Sequence, residues 1–277
     1  MTPMPVTDTF ALAKYHGAGN DFLVALELGG PVEARLGPHL ARRVCDRHRG
    51  IGADGLIVGR LAPADSGARL TFQLFNADGG EAEMSGNGLR CLAHAALDAD
   101  VVDLNEPFGV LTLAGCKEVT LQAGDRAGRV WGTVEMGQAK IVGEVDRGNV
   151  GHGQLLVDMG NPHLVVAGPD PATIDVAGLG ALLEATEPAG LNVEFATLGP
   201  GTDHLTMRVW ERGVGETLAC GTGACAAAVA FHHWGRVGRS VTVHQTGGAV
   251  AVTITSDGRV TLAGPSERIA FCTVGLT

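Results

Sequence analysis

Residues 85–97 read SGNGLRCLAHAAL, and residues 220–231 read CGTGACAAAVAF. Each stretch begins with a small nucleophilic residue, Ser85 or Cys220, followed by Gly-x-Gly and a run of small and apolar residues that is typical of a buried helix. The two starting points lie 135 residues apart, which is close to half of the 277-residue chain. We therefore predict two homologous half-chains, each with a Ser or Cys at the N-terminus of a helix.

The predicted helix starts have a chemical consequence. Helix N-termini carry unpaired backbone N–H groups and the positive end of the helix dipole, so they favour negative charge. Two such ends facing each other across one cleft would hold a carboxylate between them, with a proton-transferring group on either side. Chance recurrence is the alternative in a chain with 42 glycines. Two copies at a half-length offset, each opening an Ala-rich helix, favour duplication and an arrangement suited to inversion of a carbon centre.

Composition narrows the class of protein. With 45% hydrophobic and 18% charged residues, the chain is expected to be globular, and its length suits one large domain or two smaller ones. The net charge is −10 with only 20 Lys and Arg, which argues against nucleic acid and anionic membranes as partners. No signal peptide or long apolar run is visible, and the six cysteines form no CxxC pair. We expect reduced thiols and a cytoplasmic location.

The organisation of the chain follows from its periodicity. Alternating strand-like segments dominate, and helical patterns are fewer, over residues 38–46, 87–98, 174–185 and 222–234. Strand-like segments also follow each Gly-rich helix, over residues 108–115 and 241–248. We predict an α+β fold with two similar lobes, residues 1–128 and 129–266, and a C-terminal strand over 267–277 that can return to the first lobe.

Cofactor and metal motifs are weak. Residues 50–55 fit GxGxxG, but they lead into the strand-like run 56–59, whereas the dinucleotide fingerprint must open a helix. The ten histidines form no HExxH. Pyridoxal phosphate needs a Schiff-base lysine, and none of Lys14, Lys117 and Lys140 has a convincing phosphate-binding context. We predict a turn at 50–55, no metal, no cofactor, and chemistry carried by side chains alone.

Five polar strings each end or interrupt an apolar stretch: Gly19–Phe22, Asn76–Gly79, Gly160–His163, Asn192–Phe195 and Glu211–Gly213. Each alone is typical of a turn, because Asn and Asp favour Asx-turns and left-handed conformations. As a set they offer amide donors and acceptors for ammonium and carboxylate groups. Arg212 adds one guanidinium that can grip a carboxylate with two hydrogen bonds.

Taken together and in order, the strings resemble the diaminopimelate epimerase family. The resemblance runs from about Lys14 to Gly264 and rests on KYHGAGNDF, DRHRGIGADGL, NADGGEAEMSGNGLRC, DMGNPHLVV, LNVEFA and RVWERGVGETLACGTGACA. It implies two pseudo-symmetric lobes, each a sheet or barrel wrapped around a central helix, with the active site in the cleft between them. The implied activity is cofactor-independent epimerisation of LL-2,6-diaminopimelate to meso-diaminopimelate by two-sided proton transfer at the α-carbon, in lysine and peptidoglycan precursor synthesis. A homodimer is a possible assembly.

The resemblance also implies roles for individual residues. Cys220 is one of two acid/base groups flanking the reacting α-carbon, and His163 lies close to that centre. The α-carboxylate is bound by backbone N–H groups of Gly86, Asn87, Gly221 and Thr222. The distal amino-acid end and the α-ammonium group are held by Asn20, Asn76, Asn161, Asn192, Glu211 and Arg212.

Ser85 departs from the family pattern, which has its second catalytic cysteine there. A thiol at a helix N-terminus can reach a near-neutral pKa, whereas a serine hydroxyl is far too weak an acid to be an equivalent base. Three interpretations compete: a natural variant that works slowly, a Cys-to-Ser substitution that leaves only amino-acid binding, or a one-base dehydratase or isomerase of the same superfamily. A Ser85 hydroxyl that only caps the helix is a further alternative to catalysis by that oxygen.

Overall fold

A computed structural model describes residues 9–29, 35–148, 150–168 and 170–275. These ranges contain seventeen strands: β1 (Thr9–Gly17), β2 (Asn20–Glu27), β3 (Gly55–Leu61), β4 (Leu70–Asn76), β5 (Glu81–Ala82), β6 (Phe108–Thr112), β7 (Gly115–Ala123), β8 (Arg129–Gln138), β9 (Lys140–Glu144), β10 (Gly153–Asp158), β11 (Pro162–Ala167), β12 (Asn192–Leu198), β13 (His204–Glu211), β14 (Gly215–Thr217), β15 (Ser240–Gln245), β16 (Gly248–Ile254) and β17 (Arg259–Gly275). The α-helices are α1 (Pro38–Cys45), α2 (Gly86–Asp98), α3 (Val176–Glu184) and α4 (Gly221–His233). None of these helices has the length and apolar character needed to cross a bilayer.

The first lobe is a closed barrel around α2. Strand pairing runs β17–β1–β2–β3–β4–β6–β7–β8 and returns to β17. The β2–β3 and β4–β6 pairs are parallel, and the other pairs are antiparallel. Within the described residues, each of these eight strands is paired on both sides, and the inward-facing side chains pack on α2.

The second lobe repeats the same order of elements around α4. The pairs β10–β11, β12–β13, β15–β16 and β16–β17 are antiparallel, whereas β11–β12 and β13–β15 are parallel. They match β1–β2, β3–β4, β6–β7, β7–β8, β2–β3 and β4–β6 of the first lobe. The predicted α+β fold of two pseudo-symmetric lobes, each a sheet around a central helix, is confirmed.

Two long strands belong to both barrels. Residues 260–263 of β17 pair with β16 of the second lobe on one side and with β8 on the other, and residues 267–275 pair with β1 of the first lobe. Likewise β8 pairs with β7, and the chain then continues into β9, which pairs with β10. The seam between the lobes therefore runs along β8 and β17. Division into residues 1–128 and 129–266, with 267–277 returning, remains our proposal; residues 276 and 277 lie outside the described residues.

The predicted central helices agree closely with the structure. Both α2 and α4 have 13 residues, and Ser85 and Cys220 are their N-caps. The predicted strands at 108–115 and 241–248 each contain a hairpin turn as well, because β6 ends at Thr112 and β15 ends at Gln245. Where a turn was predicted over residues 50–55, the structure has a bent connection over 50–54, and Gly55 begins β3. Gly50 is required there because a Cβ atom would lie 2.3 Å from the Arg43 carbonyl oxygen.

Candidate active site

The N-termini of α2 and α4 meet in one cleft of about 620 Å³ between the lobes. Twelve of the thirteen predicted site residues line this cleft: Asn20, Asn76, Ser85, Gly86, Asn87, Asn161, Asn192, Glu211, Arg212, Cys220, Gly221 and Thr222. His163 is fully buried and lies behind the cleft wall. Residues from five polar strings and both helix starts are thus brought together.

The two helix ends approach each other closely. A Cβ atom added at Gly221 would lie 3.6 Å from the Gly86 Cα atom. Added Cβ atoms at Gly86 and Gly221 would also lie 2.7 and 2.8 Å from the same Leu262 methyl group. Glycine at both positions therefore lets the backbones come together. The leading N–H groups of a helix have no intrahelical acceptor, so both ends offer donors to one anion in the cleft.

Ser85 and Cys220 occupy equivalent capping positions. Ser85 Oγ accepts a hydrogen bond from the Gly88 N–H group at 3.0 Å, and Cys220 Sγ accepts one from Gly223 at 3.4 Å. The Cys220 N–H group donates to Gln245 Oε1 at 2.7 Å, which fixes the backbone that carries the thiol. Contacts with the backbone therefore hold both side chains at the N-terminus of a helix.

Cys220 lies in a buried and acidic environment. Burial, followed by the negative charges of Glu211 and Glu194, raises the pKa of the Cys220 thiol well above the ordinary cysteine value. Hydrogen bonds from Thr222 and Gly223 act in the opposite direction. Burial also raises the pKa of Glu211, whose carboxylate accepts a hydrogen bond from the Thr217 hydroxyl group. Burial and two neighbouring carboxylates therefore both oppose ionisation of the thiol.

His163 forms part of a buried network behind Cys220. Its Nδ1 atom lies 2.6 Å from Glu194 Oε1, and its Nε2 atom lies 3.0 Å from Asn161 Oδ1. The imidazole is therefore held between the buried carboxyl group of Glu194 and the side chain of Asn161, which lines the cleft. His163 thus acts on the cleft through Asn161 and not by lining it.

Asn192 connects two loops of the cleft wall in the second lobe. Its Oδ1 atom accepts a hydrogen bond from the backbone N–H group of Arg212 at 3.0 Å, and its Nδ2 atom donates to the Pro162 carbonyl oxygen at 3.1 Å. The Arg212 side chain packs beside Gly190, where a Cβ atom would lie 2.8 Å from Arg212 Cγ. Asn192 therefore positions the loop from which the exposed Arg212 guanidinium reaches the cleft.

A chain of hydrogen bonds connects the two lobes beneath the helix ends. Arg90 Nη2 donates to Asn87 Oδ1 at 2.7 Å, and Asn87 Nδ2 donates to Asn20 Oδ1 at 3.1 Å and to the Ala219 carbonyl oxygen at 3.4 Å. Asn20 then donates to Asp54 at 2.7 Å. Ala219 directly precedes Cys220, the N-cap of α4. The side chain of Asn87 therefore links the start of α2 to the start of α4 by a hydrogen bond.

Several residues that contact the candidates were not themselves predicted from the sequence, among them Arg90, Glu194 and Gln245. Arg90 and Glu194 are charged residues at fully buried positions of a helix and a strand. A charge inside an otherwise apolar segment is the sequence signal that could have found them. Gln245 carries no such signal, because a polar residue at the end of a strand and just before a Gly-rich turn is ordinary.

Comparison with known proteins assigns the chain to a family. The diaminopimelate epimerase family model matches residues 12–142 and 155–269. This chain belongs to the diaminopimelate epimerase family. A diaminopimelate epimerase of Desulforudis audaxviator is 43% identical, with 92% of this chain and 96% of the relative covered. Another, from Desulfitobacterium hafniense, is 40% identical, with 93% and 95% covered. The predicted family membership is confirmed.

Solved structures show the same fold at low sequence identity. A phenazine biosynthesis protein of the PhzF family from Bacillus anthracis superposes with a TM-score of 0.74 at 13% identity, covering 96% of this chain and 99% of that one. A hydroxyproline epimerase from Agrobacterium vitis superposes with a TM-score of 0.71 at 21% identity, covering 97% and 93%. This chain therefore shares its fold with proteins that carry other names, a phenazine biosynthesis protein and a hydroxyproline epimerase.

Proposed function

We propose that this protein converts LL-2,6-diaminopimelate to meso-diaminopimelate without a cofactor, by removing the α-proton on one face and returning a proton on the other. One observation carries the proposal: the N-termini of two pseudo-symmetric helices, capped by Ser85 and Cys220, meet in a single cleft. Family membership over nearly the whole chain supports the same substrate. Lysine and peptidoglycan precursor synthesis in the cytoplasm, in a homodimeric enzyme, is the setting that we propose.

The helix ends would bind and activate the α-carboxylate. The N–H groups of Gly86, Asn87, Gly221 and Thr222 lie on either side of the place where the carboxylate is held. As the α-proton leaves, negative charge moves into the carboxylate, and the same donors then stabilise it more strongly than in the ground state. The helix dipoles act in the same direction.

Different protein groups would transfer the proton on the two faces of the substrate α-carbon. On one face the Cys220 thiol delivers a proton to the α-carbon or, as a thiolate, removes one. On the other face stands Ser85, whose hydroxyl oxygen already accepts from Gly88. That oxygen, or a water that it orients, serves the second transfer. Because a hydroxyl is a far weaker acid than a thiol, we expect this side to limit the rate.

Arg212 would bind the distal carboxylate of the substrate. The Arg212→Lys variant is expected to lose one of two charge-assisted hydrogen bonds, at a cost of roughly 1.5–3 kcal/mol of binding. Isothermal titration with meso-diaminopimelate measures this loss. Arg239→Lys, at an exposed position of the same lobe, is the control and should bind like the parent. If Arg212→Lys binds meso-diaminopimelate as tightly as the parent, Arg212 does not hold the distal carboxylate.

Exchange of the α-proton in deuterated water tests the proposed function. Incubation with the LL and meso isomers separately, followed by NMR, should show deuterium entering the α-carbon together with conversion to the other isomer. Exchange without isomer conversion would favour a one-base enzyme of the superfamily. Binding of the amino acid without any exchange would mean that the protein only binds it.

A further inference from the structure

Glu194 is a buried carboxylate with incomplete hydrogen bonding. Glu194 and His163 are both fully buried, and Glu194 Oε1 lies 2.6 Å from His163 Nδ1. Glu194 Oε2 has no hydrogen-bond partner among the described residues. Buried carboxylate oxygens without partners are costly and rare, so an ionisable group at this position calls for a reason other than packing.

Glu194 faces Cys220 across Gly223. A Cβ atom added at Gly223 would lie 2.6 Å from Glu194 Oε1 and 3.3 Å from Cys220 Cβ. The missing side chain of Gly223 is thus what lets the carboxylate approach the thiol. The other ionisable groups around Cys220 are Glu211 on β13 and His163 on β11. The thiol is therefore flanked by carboxylates from two neighbouring strands, one of them paired with the imidazole.

The equivalent place in the first lobe is apolar. The parallel pair β11–β12 aligns His163 with Asn192, and β2–β3 aligns Phe22 with Gly55. By this register, Glu194 corresponds to Ile57 and His163 corresponds to Phe22. The fully buried cation Arg90 lies on the same side as Ser85, with a hydrogen bond to the Gly86 carbonyl oxygen. At these two aligned positions the second lobe therefore has an ionisable pair where the first lobe has apolar side chains, and the buried cation Arg90 lies at the start of α2.

We propose that Glu194 is a positioning residue that adds to burial and to Glu211 in favouring the thiol form of Cys220 before substrate binds, so that Cys220 enters the reaction as a proton donor. A nearby carboxylate disfavours a second negative charge on the thiolate. In the donating step the S–H bond of Cys220 breaks and its proton passes to the α-carbon. The resulting thiolate regains a proton from water. This role in the reaction rests on the proposed function, whereas the protonation state of the free enzyme does not.

Alkylation of Cys220 by iodoacetamide between pH 7 and 10.5 tests the proposal, because only the thiolate reacts. Fragment-ion mass spectrometry separates Cys220 from Cys225, which lies on the same tryptic peptide. Glu194→Gln should move the pH profile of Cys220 to lower pH, with about tenfold faster alkylation at pH 8 for each unit of the shift. Glu194→Asp, which keeps the charge, and Glu216→Gln, which removes an ion-paired carboxylate elsewhere in the lobe, should follow the parent profile.

A second variant covers the case in which Glu194→Gln does not fold. The double variant His163→Phe, Glu194→Ile installs the two residues of the first lobe, so it removes the buried carboxyl group together with the imidazole that pairs with it. It should show the same acceleration at Cys220, while Cys91 and Cys225, both fully buried, stay unreactive as markers of an intact fold. An unchanged Cys220 profile in the folded variants, or an equal shift in Glu216→Gln or Glu194→Asp, would overturn the proposal. No diaminopimelate is needed, so this result is independent of the exchange experiment.

Discussion

Replacing Ser85 by cysteine is expected to raise epimerase activity by roughly 10²–10⁴-fold, the range typical of a positioned general acid or base. The new thiol would cap α2 as the Ser85 hydroxyl does and would face Cys220 across the helix ends. A helix N-terminus lowers the pKa of a thiol, and no carboxylate equivalent to Glu194 lies behind this end. Rates of α-proton exchange and isomer conversion from each isomer measure the gain.

Ser85→Ala is the matched control for this substitution. It removes the hydroxyl group and the cap, so it should cost roughly 0.5–2 kcal/mol of stability and give no gain in activity. A folded Ser85→Cys variant with the activity of the parent would show that this face of the cleft does not transfer protons.

Replacing Cys220 by alanine is expected to remove activity, with a loss of roughly 10²-fold or more. Cys45 and Cys220 both line the cleft, but of these two only Cys220 stands at the start of a central helix. Alanine keeps the small volume but supplies no proton. Exchange and conversion should both fall to background for either isomer, while circular dichroism and the melting temperature show an intact fold.

Cys225→Ala provides the comparison, because this cysteine is fully buried in the same helix and does not line the cleft. Its thiol has a pKa raised to about 12 by burial. This variant should keep the activity of the parent. Turnover retained by Cys220→Ala, or lost equally in Cys225→Ala, would move the acid/base role to another group.

The duplication could be predicted because both copies carry a strong local pattern. Residues 87–98 and 222–234 were predicted as helices, and the structure has them at Gly86–Asp98 and Gly221–His233. Gly-x-Gly after a capping residue fixes the helix start, and the run of small residues fixes its buried face. Placement of the polar strings around one cleft followed from the family resemblance, because turns far apart in sequence give no local sign that they meet.

The buried charges could not be placed from the sequence. Asn192–Phe195 alone is typical of a turn by sequence, but the structure has it as the first half of β12, where alternating polar and apolar residues would suggest one exposed face. The structure buries both faces, because Val193 and Phe195 pack under α3 while Glu194 lies against α4. Arg90 is likewise accommodated by the missing side chains of Gly17, Gly132 and Gly264. These contacts join distant parts of the chain, so only the fold reveals them.

The course of β17 has a consequence for how the protein is made. Its residues 267–275 pair with β1, so Thr9 and Gly275 are neighbours in the finished barrel. During synthesis the N-terminal lobe emerges first, but its barrel lacks one strand until the last segment of β17 has left the ribosome. Until then β1 presents an unpaired edge, a template for pairing with other chains. The first lobe is therefore the last to be completed, and a chain stopped before residue 267 is expected to aggregate even though its C-terminal lobe is whole.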